Sequence, residues 1–486
     1  MKRIVAWGVA AALLAQGALG GAQQAASISA RDKSSGAQAH PQLLAEFGGL
    51  YEAPQAAYVT GVGRRVAVQS GLANSEREFT ISLLNSPVNN AFAIPGGYVY
   101  VTRQLMGLMN DEAELASVLG HEVGHVAARH SQKRQSAAQR NAILGALGQL
   151  LIGAVAGDSA LGGLLQRGTG QAAQLLTLRY SRTQEYEADD LGIRYLVGAG
   201  YDPNAASTML ASLASQTALD ARAAGRSANA LPEWASTHPD PAGRVTRARS
   251  RAQATGRAGT GQRNREAFLR ALNGTLYGDD PREGVVEGNR FVHPVLQLAF
   301  TVPQGFAIAN GPQAVSISGS GGQAQFAGGA LNGSLNAYIT QRFQQLAGNS
   351  RIDLGEIRAT RINGMDAAYA TARAASGQTQ VDVTIIAYRF APDRAYHFVL
   401  IAPAGRGAGL FQGMVQSFDR ITPQQAAAVR ARRIAVVTVQ RGDTVATLAA
   451  RMAYADFKLE RFLTINALPA NAQLRPGQQV KIVVYG

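Results

Sequence analysis

Five consecutive residues, His121-Glu122-Val123-Gly124-His125, constrain this chain more than any other feature. Around them residues 111–130 follow helical spacing, and the acidic Asp111, Glu112 and Glu114 favour the positive end of a helix dipole. The pattern predicts a helix over 111–130 with Asn110 as its N-cap. A separation of four residues puts His121 and His125 on one helical face, where the two imidazoles can hold one zinc ion. Glu122 lies beside them, placed to take a proton from a metal-bound water whose pKa the ion lowers to about 7. The chain has only 7 histidines in 486 residues, so this grouping inside a helix points to a metal site and not to a chance pair.

A catalytic zinc takes three protein ligands and keeps a further position open. The third candidate lies in SRTQEYEADDLGIRYL, residues 181–196, a second helical pattern in which Glu185 and Asp189 share a face. Glu185 is expected to bind the ion, one per chain. Asp189 is placed to accept a hydrogen bond from the ring nitrogen that a ligating histidine leaves unused, which fixes its tautomer. Glu187 is the rival ligand, but an ideal helix turns it about 160° from Glu185.

The N-terminus has the three zones of a secretory signal: Lys2 and Arg3, an apolar run over 4–19, then Gly20, Gly21 and Ala22. Residues 1–22 are expected to be removed, with an uncleaved anchor as the rival. The absence of cysteine excludes a lipid-modified cysteine, disulfides and thiolate metal sites. The expected compartment is the periplasm, with association to the cell wall or outer membrane. The formal charge of +14 arises from scattered arginines, with only five lysines among the 46 basic residues. No aromatic-plus-basic stripe accompanies it, so a nucleic-acid partner is not expected.

Texture divides the chain. A mainly helical domain with a small sheet is expected over 41–249, its extended stretch at 79–102. A Gly, Arg and Ser-rich connection, 250–288, leads to an α+β domain over 289–425, with strands at 298–303, 381–388 and 396–401 and a helix at 335–346. A charged helical stretch is expected near 424–433, before a last unit over 435–484. The run 143–178 is apolar and small. Its three readings are a core helix, a flap over the active site, or a segment in peripheral contact with a membrane.

Four motifs occur in order: NNAFAIPGGYVYVT (89–102), NDEAELASVLGHEVGHVAARHS (110–131), SRTQEYEADDLG (181–192) and STHPDPAGRV (236–245). Together they resemble the gluzincin zinc metallopeptidases that include the CAAX prenyl protease, HtpX, the mitochondrial Oma protease and the periplasmic β-barrel assembly-enhancing protease. The resemblance covers less than half of the chain. It implies a zincin-type fold, zinc on His121, His125 and Glu185, Glu122 as general base and Asp189 as the supporting acid. The HPxxxxR element falls on His238 and Arg244, expected to stabilise the oxyanion. In periplasmic relatives this histidine can instead close the open zinc position. Asn90, Ala91, Phe92 and Ala93 match the edge strand along which the family lays its substrate as an added strand, a mode that suits unfolded or misfolded envelope proteins. The family's membrane helices and the tandem helical repeats of the assembly-enhancing relative are missing from the pattern.

Residues 289–425 open on FVHPVLQLAFTVPQGFAI, similar to the small sandwiches of the PsbP or Mog kind. Residues 436–484 read as strand, helix, helix, strand and resemble a LysM module, with Gly442, Asp443 and Thr444 at the first turn and Asn466 at the family's asparagine position. Such modules bind N-acetylglucosamine glycans, which implies peptidoglycan. The sequence supports a secreted zinc endopeptidase held near peptidoglycan. A periplasmic chaperone or binding scaffold with a closed zinc site is the alternative, and a cell-wall hydrolase is a third reading, disfavoured by the ligand spacing.

Overall fold

A computed structural model describes residues 27–133, 180–223, 238, 241–347, 354–376 and 379–486. The expected signal segment, the apolar run 143–178 and residues 239–240 lie outside the described residues.

Among the described residues the first element is α1 (Ala30–Glu46), which contains Pro41, so the first unit starts earlier than the sequence pattern indicates. Helices α2 (Pro54–Ala67) and α3 (Ser75–Glu78) precede strands β1 (Thr80–Leu84), β2 (Ala91–Ile94) and β3 (Tyr98–Thr102). The sheet order is β1-β3-β2, with β1 parallel and β2 antiparallel to the central β3. The two-residue period of the strands sorts their side chains. Ile81, Leu83, Val99 and Val101 face α2 and the helical core, whereas Phe92 and Tyr100 pack beneath Leu43 and Phe47 of the α1 segment. Strand β2 is therefore an edge whose side chains are largely committed inward.

After α4 (Arg103–Leu108) comes α5 (Glu112–Ala127), the helix of the HEVGH motif. Its N-cap is Asp111, whose Oδ1 accepts the Glu114 N–H at 3.0 Å, one residue beyond the expected Asn110. A short α6 (His130–Lys133) follows, and across the undescribed stretch come α7 (Arg182–Gly198), α8 (Ala205–Ala223) and α9 (Pro241–Ala254). Helix α7 opens with a capping box: Ser181 Oγ accepts the Gln184 N–H, and Gln184 Oε1 accepts the Ser181 N–H. Small residues let α5 and α7 approach closely. A Cβ on Gly192 would lie 3.1 Å from the His121 backbone nitrogen, and one on Gly124 3.2 Å from the Ala188 carbonyl. This contact brings the acids of α7 over the histidines of α5.

The stretch expected as a connection, 250–288, is instead part of this core. Helix α10 (Arg265–Leu272) buries Phe268, Leu269 and Leu272 completely, each burial contributing about 1.5–3 kcal/mol.

The next unit contains β4 (Val285–Glu287), β5 (Arg290–His293), β6 (Leu298–Thr301), β7 (Ala307–Asn310), β8 (Val315–Gly319), β9 (Gly322–Ala330), α11 (Leu335–Ala347), β10 (Arg358–Ile362), β11 (Met365–Ser376), β12 (Thr379–Ala391), β13 (Arg394–Pro403), α12 (Gln412–Ser417) and β14 (Asp419–Arg420). Seven strands form one sheet in the order β10-β11-β12-β13-β9-β8-β7, and four form a smaller one, β14-β6-β5-β4. Helix α11 covers one face of the large sheet through Tyr338, Ile339 and Phe343, and Phe291, Phe300, Phe411 and Phe418 fill the other face. This is an α+β arrangement.

Only α13 (Pro423–Ala427) is helical in the stretch expected as a helix near 424–433, because β15 (Arg432–Thr438) begins inside it. Helices α14 (Val445–Ala450) and α15 (Lys458–Ile465) follow, and β16 (Gln479–Tyr485) returns antiparallel to β15. Asn466, expected to touch glycan, is buried. Its Nδ2 donates to the Phe462 and Lys481 carbonyls and its Oδ1 accepts the Lys481 N–H, so its side chain is spent on holding the module together. Gly442 and Thr444 are exposed at the first turn. Among the described residues, no helix is long and apolar enough to cross a membrane.

Candidate metal centre

Helix α5 sets His121, Glu122 and His125 in the core, and α7 lowers Glu185 onto them. His121 Nε2 and His125 Nε2 are 3.0 Å apart, and each lies 3.5 Å from a carboxylate oxygen of Glu185. Two nitrogen ligands on a tetrahedral zinc would stand about 3.3 Å apart, given Zn–N distances near 2.0–2.1 Å. His238 joins the same group, and one ligand atom from each of His121, His125, Glu185 and His238 can be chosen so that all lie within 4.8 Å of one another. Arg244 Nη1 is 2.7 Å from Glu185 Oε2, but neither Glu185 oxygen has an aligned hydrogen bond among the described residues. Buried carboxylate oxygens left in that state suit a cation, so the residues present fit a zinc ion.

Each candidate ligand histidine has its other ring nitrogen engaged. His121 Nδ1 lies 3.0 Å from Asp189 Oδ1. His125 Nδ1 lies 2.8 Å from His130 Nδ1, and His130 Nε2 lies 3.1 Å from Glu187 Oε2. A proton on Nδ1 of His121 and of His125, and on Nε2 of His130, satisfies these contacts and turns the Nε2 lone pairs of His121 and His125 toward the centre. Glu187, the rival ligand by sequence, thus serves the outer side of His125 through His130.

Electrostatics favour positive charge here. Burial alone would lower the His121 imidazole, but Asp189 and Glu185 beside it raise its pKa to about 9. Burial pushes the Asp189 carboxyl up, yet the Arg244 guanidinium outweighs this and holds it well below the usual range. Glu185 is also held low against its burial, by His238, His121 and Arg244. Glu122 is 2% exposed, and its Oε2 has no hydrogen-bond partner among the described residues. Its Oε1 stands 3.4 Å from His238 Nε2.

Arg244 joins the group from α9. Its Nε and Nη2 donate to Asp189 at 2.9 and 2.7 Å, and its side chain is 2% exposed. Held by Asp189 and standing beside Glu185, the Arg244 side chain also lines the pocket onto which His121 and Glu122 open. His238 does face the centre.

Residues 53–252 match peptidase family M48. The chain carries a peptidase family M48 domain. It is 35% identical over 215 residues to a beta-barrel assembly-enhancing protease of Yersinia pestis, an alignment covering 43% of this chain and 42% of that protein. It is 31% identical over 223 residues to the mitochondrial metalloendopeptidase OMA1 of Schizosaccharomyces pombe, covering 44% of this chain and 59% of that protein. The chain thus spans less than two thirds of the length of either relative. Among solved structures, cyanobacterial PsbP of Synechocystis gives a TM-score of 0.24 at 13% identity over 28% of this chain and 98% of that one, too slight a likeness to assign a fold.

In the M48 domain, Asn90, Ala91, Phe92 and Ala93 lie at the edge strand. The Asn90 carbonyl accepts the Thr102 N–H and its own N–H donates to Thr102 Oγ1, which ties the start of β2 to β3. The Phe92 side chain is 5% exposed within the α1 cluster, so it belongs to the core. Farther along, Ile94, Pro95 and Gly96 line a cleft with His125 and Val126. On the side of His121 and Glu122, Val118, Ile193, Met209 and Leu213 line an apolar pocket.

His130 and Tyr180 were not singled out by sequence reasoning. Tyr180 stacks on His125, ring centroids 3.6 Å apart. For His130 a signal existed: a histidine five residues past the motif in a chain with only 7.

Proposed function

We propose that this chain is a secreted zinc-dependent endopeptidase that hydrolyses peptide bonds of misfolded or misassembled envelope proteins. The observation that carries the reading is the meeting of His121 Nε2, His125 Nε2 and Glu185, with the buried Glu122 carboxylate beside them. His121, His125 and Glu185 would hold the zinc, which when bound supplies a Lewis acid and lowers the pKa of water. Glu122 takes the proton from the attacking water and returns it to the leaving nitrogen. Asp189, His130 and Glu187 fix the ring orientations of the ligands, and Arg244 holds the acids in place. His238 faces the same centre, its Nε2 3.4 Å from Glu122 Oε1.

The β2 edge offers backbone pairing beyond Asn90, along Ala91 to Ala93, which accepts extended chains of many sequences. The apolar pocket beside Glu122 accepts the kind of side chain that a folded protein hides. Names of relatives such as beta-barrel assembly-enhancing protease support an envelope setting and the periplasm. The β15-α14-α15-β16 unit supports a LysM-type glycan contact through Gly442, Asp443 and Thr444, which would keep the enzyme near peptidoglycan.

The approach of His238 to the ligand atoms and to Glu122 favours one other reading, a binding scaffold or chaperone whose site His238 keeps closed. The deciding experiment is digestion of casein by wild type and Glu122→Gln at matched zinc content, with mass spectrometry of the products. Fragments from wild type alone establish the peptidase. Silence from wild type and from His238→Ala, both loaded with zinc, refutes it in favour of the scaffold.

A further inference from the structure

Lys481 is one of five lysines in the chain, and it is completely buried. From β16 its Nζ donates to three successive carbonyls of the M48 domain: Gly107 at 2.9 Å, Leu108 at 3.2 Å and Met109 at 2.6 Å. The next carbonyl, of Asn110, accepts from Arg265 Nη1 at 2.7 Å, and Arg265 Nη2 in turn donates to the Gln479 carbonyl at 3.2 Å. Four consecutive carbonyls are thus held by the side chains of Lys481 and Arg265. They run from the last turn of α4 to the residue before Asp111, the N-cap of the helix that carries His121, Glu122 and His125.

An ammonium is buried only where its donors are satisfied, and Lys481 has three donors and three acceptors. Two further contacts join the module to the M48 domain and to the stretch that follows it. The backbone of β15 pairs with residues 274–277: Gly274 N–H to the Ile434 carbonyl, Ile434 N–H to that of Thr275, and Tyr277 N–H to that of Arg432. Ile434, Phe462, Val480 and Ile482 also share one hydrophobic core with Leu105, Leu108, Leu115 and Leu119. At Gly107 the approach is so close that a Cβ would meet Ile434 and Tyr277 at 2.9 Å.

We propose that the C-terminal βααβ module is a working part of the peptidase, with Lys481 as a positioning residue that fixes residues 107–109 and thereby the start of the zinc-binding helix. The proposal rests on reading His121, His125 and Glu185 as the metal centre. It also means that the module does not swing on a tether. A ligand held at its exposed 440–444 turn would meet the catalytic cleft at a fixed attitude.

The test uses full-length Lys481→Met, with Arg265→Met as a milder second variant in case the first does not fold. Hydrogen exchange at residues 112–120 reports the brace, and zinc affinity by chelator competition together with kcat and KM on a casein peptide reports the centre. The expected result for Lys481→Met is faster exchange at 112–120 with that of β11–β13 unchanged, zinc affinity down by about tenfold, and a fall in kcat with KM nearly constant. Arg265→Met should move the same quantities less. Wild-type exchange, zinc affinity and kcat in a folded Lys481→Met would overturn the proposal. Absence of zinc binding by the wild type would sink the metal reading, and exchange at 112–120 would still judge the brace.

Discussion

Arg244 grips Asp189 through two hydrogen bonds, Nε to Oδ2 at 2.9 Å and Nη2 to Oδ1 at 2.7 Å, while its third nitrogen stands 2.7 Å from Glu185 Oε2. One cation therefore orders both the acid that orients His121 and the acid expected to bind zinc. Lysine cannot reproduce a planar fork with three engaged nitrogens. Arg244→Lys should weaken zinc binding by about 10–100-fold, the usual cost of losing a partner that orients ligands. Chelator competition measures this, and unchanged affinity would return Arg244 to a role toward substrate.

The relay on His125 predicts an order of effects. His130 is fully buried between His125 and Glu187, whereas the Glu187 side chain is 46% exposed. Removing the buried ring leaves His125 Nδ1 without its partner, and removing the exposed carboxylate lets water replace it. His130→Ala should lose more zinc affinity than Glu187→Gln. The reverse order, measured by the same competition, would show that the relay does not act through the His130 ring.

Much of this centre was legible because its parts follow helical spacing. Four-residue intervals place His121 with His125 and Glu185 with Asp189 whatever surrounds them. Pairing across elements was not. The Arg244 contacts depend on how α9 meets α7, and those of His130 on the turn that follows α5 at Arg129, whose φ is +54°. The expected connection at 250–288 was misjudged for a related reason. Its composition is polar, but the three apolar residues Phe268, Leu269 and Leu272 suffice to fold it inward once a core is there to receive them. The βααβ order was visible from residues 436–484, but not that β15 would also pair with 274–277.

His238 Nε2 stands among the candidate ligand atoms and 3.4 Å from Glu122 Oε1, where it crowds both the open zinc position and the base. Removing the ring should free that position. Zinc-loaded His238→Ala is expected to cleave casein faster than wild type, by about tenfold if unblocking contributes 1.4 kcal/mol. A slower variant would instead assign His238 to stabilising the transition state.

His397 on β13 is buried, and its Nδ1 lies 2.9 Å from the Tyr338 hydroxyl on α11. Burial, reinforced by the nearby Arg342 charge, lowers its pKa from 6.5 to about 3. The unfolded chain therefore binds a proton that the folded unit refuses throughout that interval. Stability is fully present above pH 6.5 and is lost as pH falls toward 3, with a slope reaching about 1.4 kcal/mol per pH unit. His293, lowered by burial to about 4, adds to the slope in the same direction. His397→Phe leaves Tyr338 without this partner, at about 1 kcal/mol near pH 7, but removes the proton-linked loss. Hydrogen exchange of β12 and β13 amides across pH 4–7, corrected for intrinsic rates, should show wild-type protection falling more steeply than that of His397→Phe. Parallel curves would mean that His397 does not set the acid sensitivity of this sheet.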